Sequence, residues 1–291
     1  MNSKTARIGL MFAVTLVLSI GLVISSASWR TKATETMAKV HMLNIGQGDS
    51  FLIEAENGAQ LLLDGGRDAT VLSELSKVMA WNDKKIDVIV ATHPDADHVG
   101  GLVDVIKRYD VGLFLTSDVV AETQVYKSLI DNVLKKKIPA YYVRQGMNLA
   151  MTDKTSFTVL FPDRDTHTWE TNTASVVGRL QIGDRSVLFT GDSPVAIEQY
   201  LAKTSASWRT NLLDVDILKL GHHGSKTSTS QEYLKATTPQ LALISAGVNN
   251  SYGHPHKEVL DLLRQFNISY VSTQTAGTMT LETDGLKWDK R

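Results

Sequence analysis

The stretch "ATHPDADHVGG", residues 91–101, places His93, Asp95, Asp97 and His98 within six positions. Carboxylates so close repel one another unless a cation lies among them, so the stretch points to a divalent metal. It follows "IDVIVAT", residues 86–92, a continuous β-branched run of the kind that forms a strand buried on both faces. The metal-like loop therefore starts at the C-terminal end of a buried strand. Side chains two apart on an extended segment point the same way, so residues 93, 95 and 97 are expected to converge. Gly100 and Gly101 then let the backbone pass close to the cluster before the next helix.

Outward from this stretch, short apolar runs alternate with helical stripes. "VHMLNI", "SFLIEA" and "QLLLD" are divided by "GQGD" and "ENGA", which is strand–turn–strand punctuation. Val71, Leu72, Leu75, Val78 and Met79 mark a helix, as do Leu102–Arg108 and Glu122–Lys137. Further strands are predicted at 111–116, 157–161, 175–182, 186–190, 215–220, 241–245, 269–272 and 278–283. Helices are predicted after Pro194, near 230–236 and from Pro255. Lys135–Lys137 reads as a solvated helix end. With no repeat and no linker after residue 39, residues 39–291 form one mixed α/β unit.

The first 32 residues differ. Lys4 and Arg7 precede the uncharged run Ile8–Ile24, 17 residues long, and Ser25-Ser26-Ala27 follows. A signal peptide's apolar core is about 7–15 residues and a spanning helix needs about 20. Small residues offer a cleavage site while the length favours an uncleaved anchor, so residues 1–32 are a signal peptide or membrane anchor. Residues 33–38 read as a polar linker. Either reading places the main domain outside the cytoplasmic membrane. Without residues 1–32 the chain has 26 basic and 31 acidic side chains, a formal charge of −5. A general nucleic-acid binder is more often basic, although bound cations would cancel part of that charge. The absence of cysteine excludes disulfides and thiolate zinc sites.

Three more places set metal-type side chains just after predicted strands. Asp192 follows "SVLFTG", where an Asx turn is the plain alternative. His222 and His223 follow "LKLG", and His254 lies in "YGHP" before a helix whose stripe is Val259, Leu262, Leu263 and Phe266. With Pro255 in the first turn, His254 would sit at a helix start, where free N–H groups favour a phosphate. His41, His167 and His256 lack comparable context.

The order His-x-Asp-x-Asp-His in 93–98 resembles the His-x-His-x-Asp-His loop of the metallo-β-lactamase superfamily, with Asp95 in place of one histidine. "LNIGQGDSFLI" with Asp49, "LLLDGG" with Asp64, "TNTASVV" with Asn172 and Ser175, "GHHGS" and "YGHP" resemble one branch, the hydrolase domain of ComEC competence proteins. The match spans residues 40 to about 260 in the expected order, without the membrane channel of those proteins. The resemblance implies a four-layer αββα sandwich and two divalent ions, zinc or manganese. His93 and Asp95 would hold one ion, Asp97 and His98 the other, with Asp192 bridging and His222 completing the second site. His222 and His223 are exchangeable in that role. The histidine that the family usually supplies between the first loop and the bridging aspartate has no good counterpart. The first site is therefore poor in nitrogen, which favours harder ions such as manganese.

The chemistry expected is phosphodiester hydrolysis by a two-metal-activated hydroxide, with DNA or RNA as substrate. Asn172, Ser175, Ser225 and His254 are candidates for holding the phosphate. Asp97, His223 and His254 are the catalytic candidates, a protonated His223 or His254 serving the leaving oxygen. The alternatives are a phosphodiesterase on cell-wall or small phosphoesters, and a catalytically idle DNA-uptake module. β-Lactam hydrolysis is disfavoured by Asp95. The sequence leaves protein partners unspecified.

Overall fold

A computed structural model describes residues 37–208 and 210–290. The expected signal or anchor of residues 1–32, and linker residues 33–36, lie outside the described residues. Among the described residues no helix is long and apolar enough to cross a membrane.

In chain order the first half comprises β1 (Ala38–Met42), β2 (Phe51–Glu54), β3 (Gln60–Leu63), α1 (Thr70–Val78), β4 (Lys85–Ala91) and α2 (Ala96–Val99). It continues with α3 (Leu102–Arg108), β5 (Asp110–Thr116), α4 (Gln124–Lys135) and β6 (Ala140–Tyr142). The second half holds β7 (Asn148–Ala150), β8 (Thr155–Phe161), β9 (Val177–Ile182), β10 (Arg185–Phe189), α5 (Val195–Ser205) and β11 (Ile217–Lys219). Then come α6 (Gln231–Thr237), β12 (Leu241–Ile244), α7 (Lys257–Gln265), β13 (Ser269–Ser272), α8 (Thr273–Ala276), β14 (Met279–Thr283) and β15 (Trp288–Lys290). One sheet runs β15-β14-β1-β2-β3-β4-β5-β6 and the other β13-β12-β11-β10-β9-β8-β7. Each begins as an antiparallel meander and continues as parallel strands joined through helices.

Strand periodicity divides the apolar side chains into three layers. Phe51, Ile53, Leu61, Leu63, Val88 and Val90 face Phe157, Leu180, Val187 and Phe189 between the sheets. The rings of Phe51 and Phe189 meet edge-on at 5.2 Å across that gap. Leu52, Leu62 and Ile89 point the other way, onto Val71, Leu75, Leu102, Leu129 and Val133 of the first helices. Leu188, Leu218 and Ile244 do the same toward Ile197, Leu201, Leu234 and Leu263. Each such fully buried aliphatic side chain contributes about 1.5–3 kcal/mol. Helix, sheet, sheet, helix is the four-layer αββα sandwich.

Several expected boundaries shift for local reasons. β1 starts at Ala38, inside the expected linker. α4 starts at Gln124 because Thr123 caps it, its hydroxyl accepting from the Tyr126 N–H at 3.3 Å. Lys135–Lys137 are exposed, as expected of a solvated helix end, and the Lys136 Nζ also donates to the carbonyls of Lys107 and Tyr109, both at 3.2 Å, closing the end of α3. α7 begins at Lys257, two residues after Pro255. His256 holds an extended backbone there, its N–H bonded to the Gly224 carbonyl and its Nδ1 accepting from the Lys226 N–H. His254 is thus outside the helix start expected for it.

Candidate metal centre

The loops that leave the C-terminal ends of β1, β3, β4, β10, β11 and β12 meet at one rim of the sandwich, where open α/β sheets place their ligands. They carry Asp49, Asp64, His93–His98, Asp192, His222–His223 and His254, so residues from six loops gather at one place.

His98 is fully buried, with Nδ1 2.8 Å from Asp64 Oδ2 and Nε2 3.2 Å from Asp192 Oδ1. Asp64 is itself held by the backbone N–H and hydroxyl of Thr92, at 2.8 and 2.7 Å. His223 repeats the arrangement, Nδ1 lying 3.2 Å from Asp49 Oδ1 and Nε2 3.4 Å from Asp192 Oδ2 and 3.6 Å from Asp97 Oδ2. His93 sets Nδ1 on the Thr92 hydroxyl at 2.9 Å and aims Nε2 at Asp95, 3.8 Å away. Each imidazole is oriented through one nitrogen and leaves the other facing carboxylates, which is how metal-binding histidines are held.

A cation fits this arrangement. His93 Nε2, His98 Nε2, His223 Nε2 and Asp192 Oδ1 are buried without a well-formed hydrogen bond, His98 and His223 meeting Asp192 only as close ion pairs, and a buried polar atom left without one, as His93 Nε2 is, costs about 1–3 kcal/mol. Ligand atoms of Asp49, His98, Asp192 and His223 lie within 4.8 Å of one another and could hold an ion. Of these, Asp49 has its oxygens committed to His223 and to an ion pair with Lys219, which places it behind His223 rather than in front.

The charge states follow from the same contacts. Burial, then the positive His98 beside it, depresses the His93 pKa well below normal, leaving a neutral imidazole. Burial opposes charge on His98, but Asp192 and Asp64 on its two nitrogens outweigh it and hold its pKa well above normal. His223 behaves alike between Asp192 and Asp49. Burial would raise Asp192, yet His223 and His98 hold it well below the carboxylate range. Asp95, partly exposed, is raised by burial.

Some sequence expectations are revised here. Asp97 is not on an extended segment; extension ends at Asp95, and Asp97 and His98 lie in α2. One helical turn lets Asp97 reach the pocket while His98 drops behind it. Gly100 and Gly101 approach the loop after β3 rather than the cluster: a Cβ on Gly100 would lie 1.9 Å from the Arg67 carbonyl oxygen. That contact presses Asp64 onto His98, with the Gly65 N–H bonded to the His98 carbonyl at 2.7 Å. His222 and His223 both have left-handed backbones, φ 50° and 57°, so neighbours that would point to opposite faces of a strand converge on Asp192. His223 takes the deep position expected of His222, whose Nε2 stands 3.7 Å from Asp192 Oδ2 at the open edge.

The phosphate-binding candidates separate. His254 lines the pocket, a cavity of about 170 Å³ shared with Asp95, Asp97, Asp192, His222 and His223. Ser175 does not: it is fully buried, and its hydroxyl accepts from the Asp192 N–H at 3.2 Å, so it braces the Gly-Asp turn. Ser225 is buried too and accepts from Thr227. Asn172, in a 3-10 turn, is partly buried and outside the pocket wall. The expected protonated His254 is also revised: burial, then the positive His223 and the neighbouring His222, lower its pKa to about 4, leaving it neutral near pH 7. His41 bonds Thr280 and His167 lies 3.3 Å from the Asp118 carbonyl, both away from the site.

Gln47, Tyr252 and Lys219 belong to the surroundings and were missed. Lys219 left a signal: it is the one charge in the second half of the apolar run "VDILKL". Asp49 and Asp64 stood only as family marks, with no role assigned.

Comparison with known proteins agrees with the geometry. The chain is 30% identical over 259 residues to "ComE operon protein 3" of Bacillus subtilis, covering 83% of this chain and 32% of that protein. It is 29% identical over 254 residues to "Competence protein ComA" of Neisseria gonorrhoeae, covering 87% and 33%, and 29% identical over 244 residues to "Recombination protein 2" of Haemophilus influenzae, covering 82% and 28%. It spans about a third of the length of each. Among solved structures, the metallo-beta-lactamase fold protein YhfI of Bacillus subtilis superposes with a TM-score of 0.57 at 14% identity, over 85% of this chain and 100% of that one. The metallo hydrolase Igni18 of Ignicoccus hospitalis gives 0.54 at 16%, over 84% and 100%. With the superfamily profile matching residues 43–248 and the fold and histidine–aspartate rim in agreement, the chain belongs to the metallo-beta-lactamase superfamily.

Proposed function

We propose that this chain is an extracytoplasmic, metal-dependent phosphodiesterase that cleaves nucleic acid. The observation that carries the reading is the gathering of ligand atoms of His98, His223 and Asp192 within 4.8 Å of one another, with the His93 ring 4.1 Å from that of His98, behind a pocket lined by Asp192 and His223. Divalent cations, where bound there, would supply Lewis-acid polarisation of a phosphoryl oxygen and lower the pKa of a water. His98, His223 and Asp192 would hold one position with Asp97, and His93 and Asp95 the other, Asp192 being central to both. His254 stands neutral on the pocket wall, its backbone tied to Asn250 in both directions; it serves a phosphate oxygen as a hydrogen-bond donor rather than as a full acid. His222, turned by the Thr227 hydroxyl on Nδ1 at 3.2 Å, faces the same space. Relatives named for competence and recombination favour nucleic acid as the substrate.

A second reading has its own support. The pocket holds little more than one phosphodiester, and the formal charge of −5 beyond residue 32 supplies no broad cationic surface. A small or cell-wall phosphoester suits both facts. The full chain is assayed with Mn²⁺ or Zn²⁺ on single-stranded DNA, RNA and bis-p-nitrophenyl phosphate. EDTA-sensitive cleavage of the polymers, lost in Asp97→Ala, is the expected result. Cleavage of the small ester alone favours the second reading. Stoichiometric metal without turnover of any substrate leaves a DNA-uptake binding module. Protease accessibility of the domain in intact cells tests the location.

A further inference from the structure

Lys219 closes β11 with no solvent exposure. A buried ammonium costs several kcal/mol unless it is paired, and its pairing here is specific. Nζ forms an ion pair with Asp49 Oδ2, donates to the Gly191 carbonyl at 2.9 Å and lies 3.8 Å from Asp192 Oδ1. It does not line the pocket, so it stands on the protein side of the site, out of a substrate's reach. Asp49 turns its other oxygen to His223 Nδ1 at 3.2 Å, and His223 Nε2 faces Asp192. The parallel with His98 is close: there Asp64 backs the ring and Thr92 holds Asp64 with two neutral donors. On the His223 side a full positive charge does that work. The Gly191 carbonyl belongs to the turn that carries Asp192, so one ammonium touches the supports of two metal-facing groups.

We propose that Lys219 is a positioning residue of the metal centre, holding Asp49 against His223 Nδ1 so that His223 Nε2 presents to the same cation as Asp192. The proposal rests on the metal-site reading above. It makes the strand β11, which carries no ligand itself, part of the apparatus that sets metal affinity.

The test measures binding rather than turnover. Mn²⁺ and Zn²⁺ affinities of the full chain are determined by competition with a chromophoric chelator, and folding by circular dichroism. Lys219→Met is expected to weaken binding by about 10–100-fold, as loss of an outer partner does. Asp49→Asn should do the same, and the double variant should lose no more than either, because the two act through one contact. Unchanged affinity in folded Lys219→Met, or multiplied losses in the double variant, overturns the proposal. Where Lys219→Met does not fold, Asp49→Asn is compared with the double variant, which removes both buried charges together. Equal affinities then support the relay, and a further tenfold loss overturns it. Failure of the unaltered chain to take up either metal would remove the metal-site reading itself.

Discussion

His41 shows how a single residue can record its surroundings without joining the site. It lies on β1, its Nδ1 2.8 Å from the Thr280 hydroxyl, and burial followed by the nearby Lys39 lowers its pKa to about 4. A histidine depressed in the folded state binds its proton more weakly than in the unfolded chain. Its contribution to stability is therefore complete above about pH 6.5 and is lost as pH falls toward 4. The full effect is on the order of 3 kcal/mol. Urea titrations between pH 7 and 4 should show a shallower pH slope in His41→Gln than in the unaltered chain; equal slopes would contradict the assignment. Asp64 is a second residue-scale case. Asp64→Ala removes the support of His98 and should weaken Mn²⁺ binding by about 10–100-fold in chelator competition, with His98 still present.

At the scale of elements, the site depends on how neighbouring segments are clamped. Glu198 of α5 is buried and accepts from the Thr229 and Ser230 N–H groups at 2.6 and 2.7 Å, fixing the start of α6 and the loop that follows His223. Glu198→Ala would leave one buried and one part-buried donor unmet, a loss on the order of 2–3 kcal/mol, read as a lower urea midpoint at unchanged slope. Gly100 is the corresponding clamp on the other half. Gly100→Ala drives a methyl into the Arg67 carbonyl, so the loop after β3 must move and Asp64 with it. The expected outcome is weaker metal binding with far-UV circular dichroism nearly intact, since the three apolar layers are untouched. Strand and helix identities were largely legible, because alternation and the 3.6-residue stripe are local properties. The short edge strands β6, β7 and β15 were not, being three residues each and too brief to show a period.

For the whole molecule, carboxylates gathered at one rim of a sandwich held by apolar layers imply a fold that survives metal removal but is stabilised by metal. At a free ion concentration 100 times Kd the gain is about 2.7 kcal/mol, equivalent to a rise of roughly 5–10 °C in Tm for a chain of this size. Thermal melts with EDTA and with Mn²⁺ should differ by that amount while their spectra at 25 °C coincide. Collapse of the spectrum in EDTA would show that the ion is needed for folding itself.

Some of this was settled by sequence alone. The buried run 86–92 and the loop after it carry their meaning in composition and period, so the α/β class, the family likeness and the metal-type residues were all readable. Other features waited for the chain to close. Asp49 and His223 are 174 residues apart, and no local pattern says which carboxylate backs which imidazole. The choice between His222 and His223 turns on two left-handed residues, and the burial of Ser175 and Lys219 on what the opposite sheet covers. Periodicity encodes which face a side chain takes; only the packing of two sheets decides what that face meets.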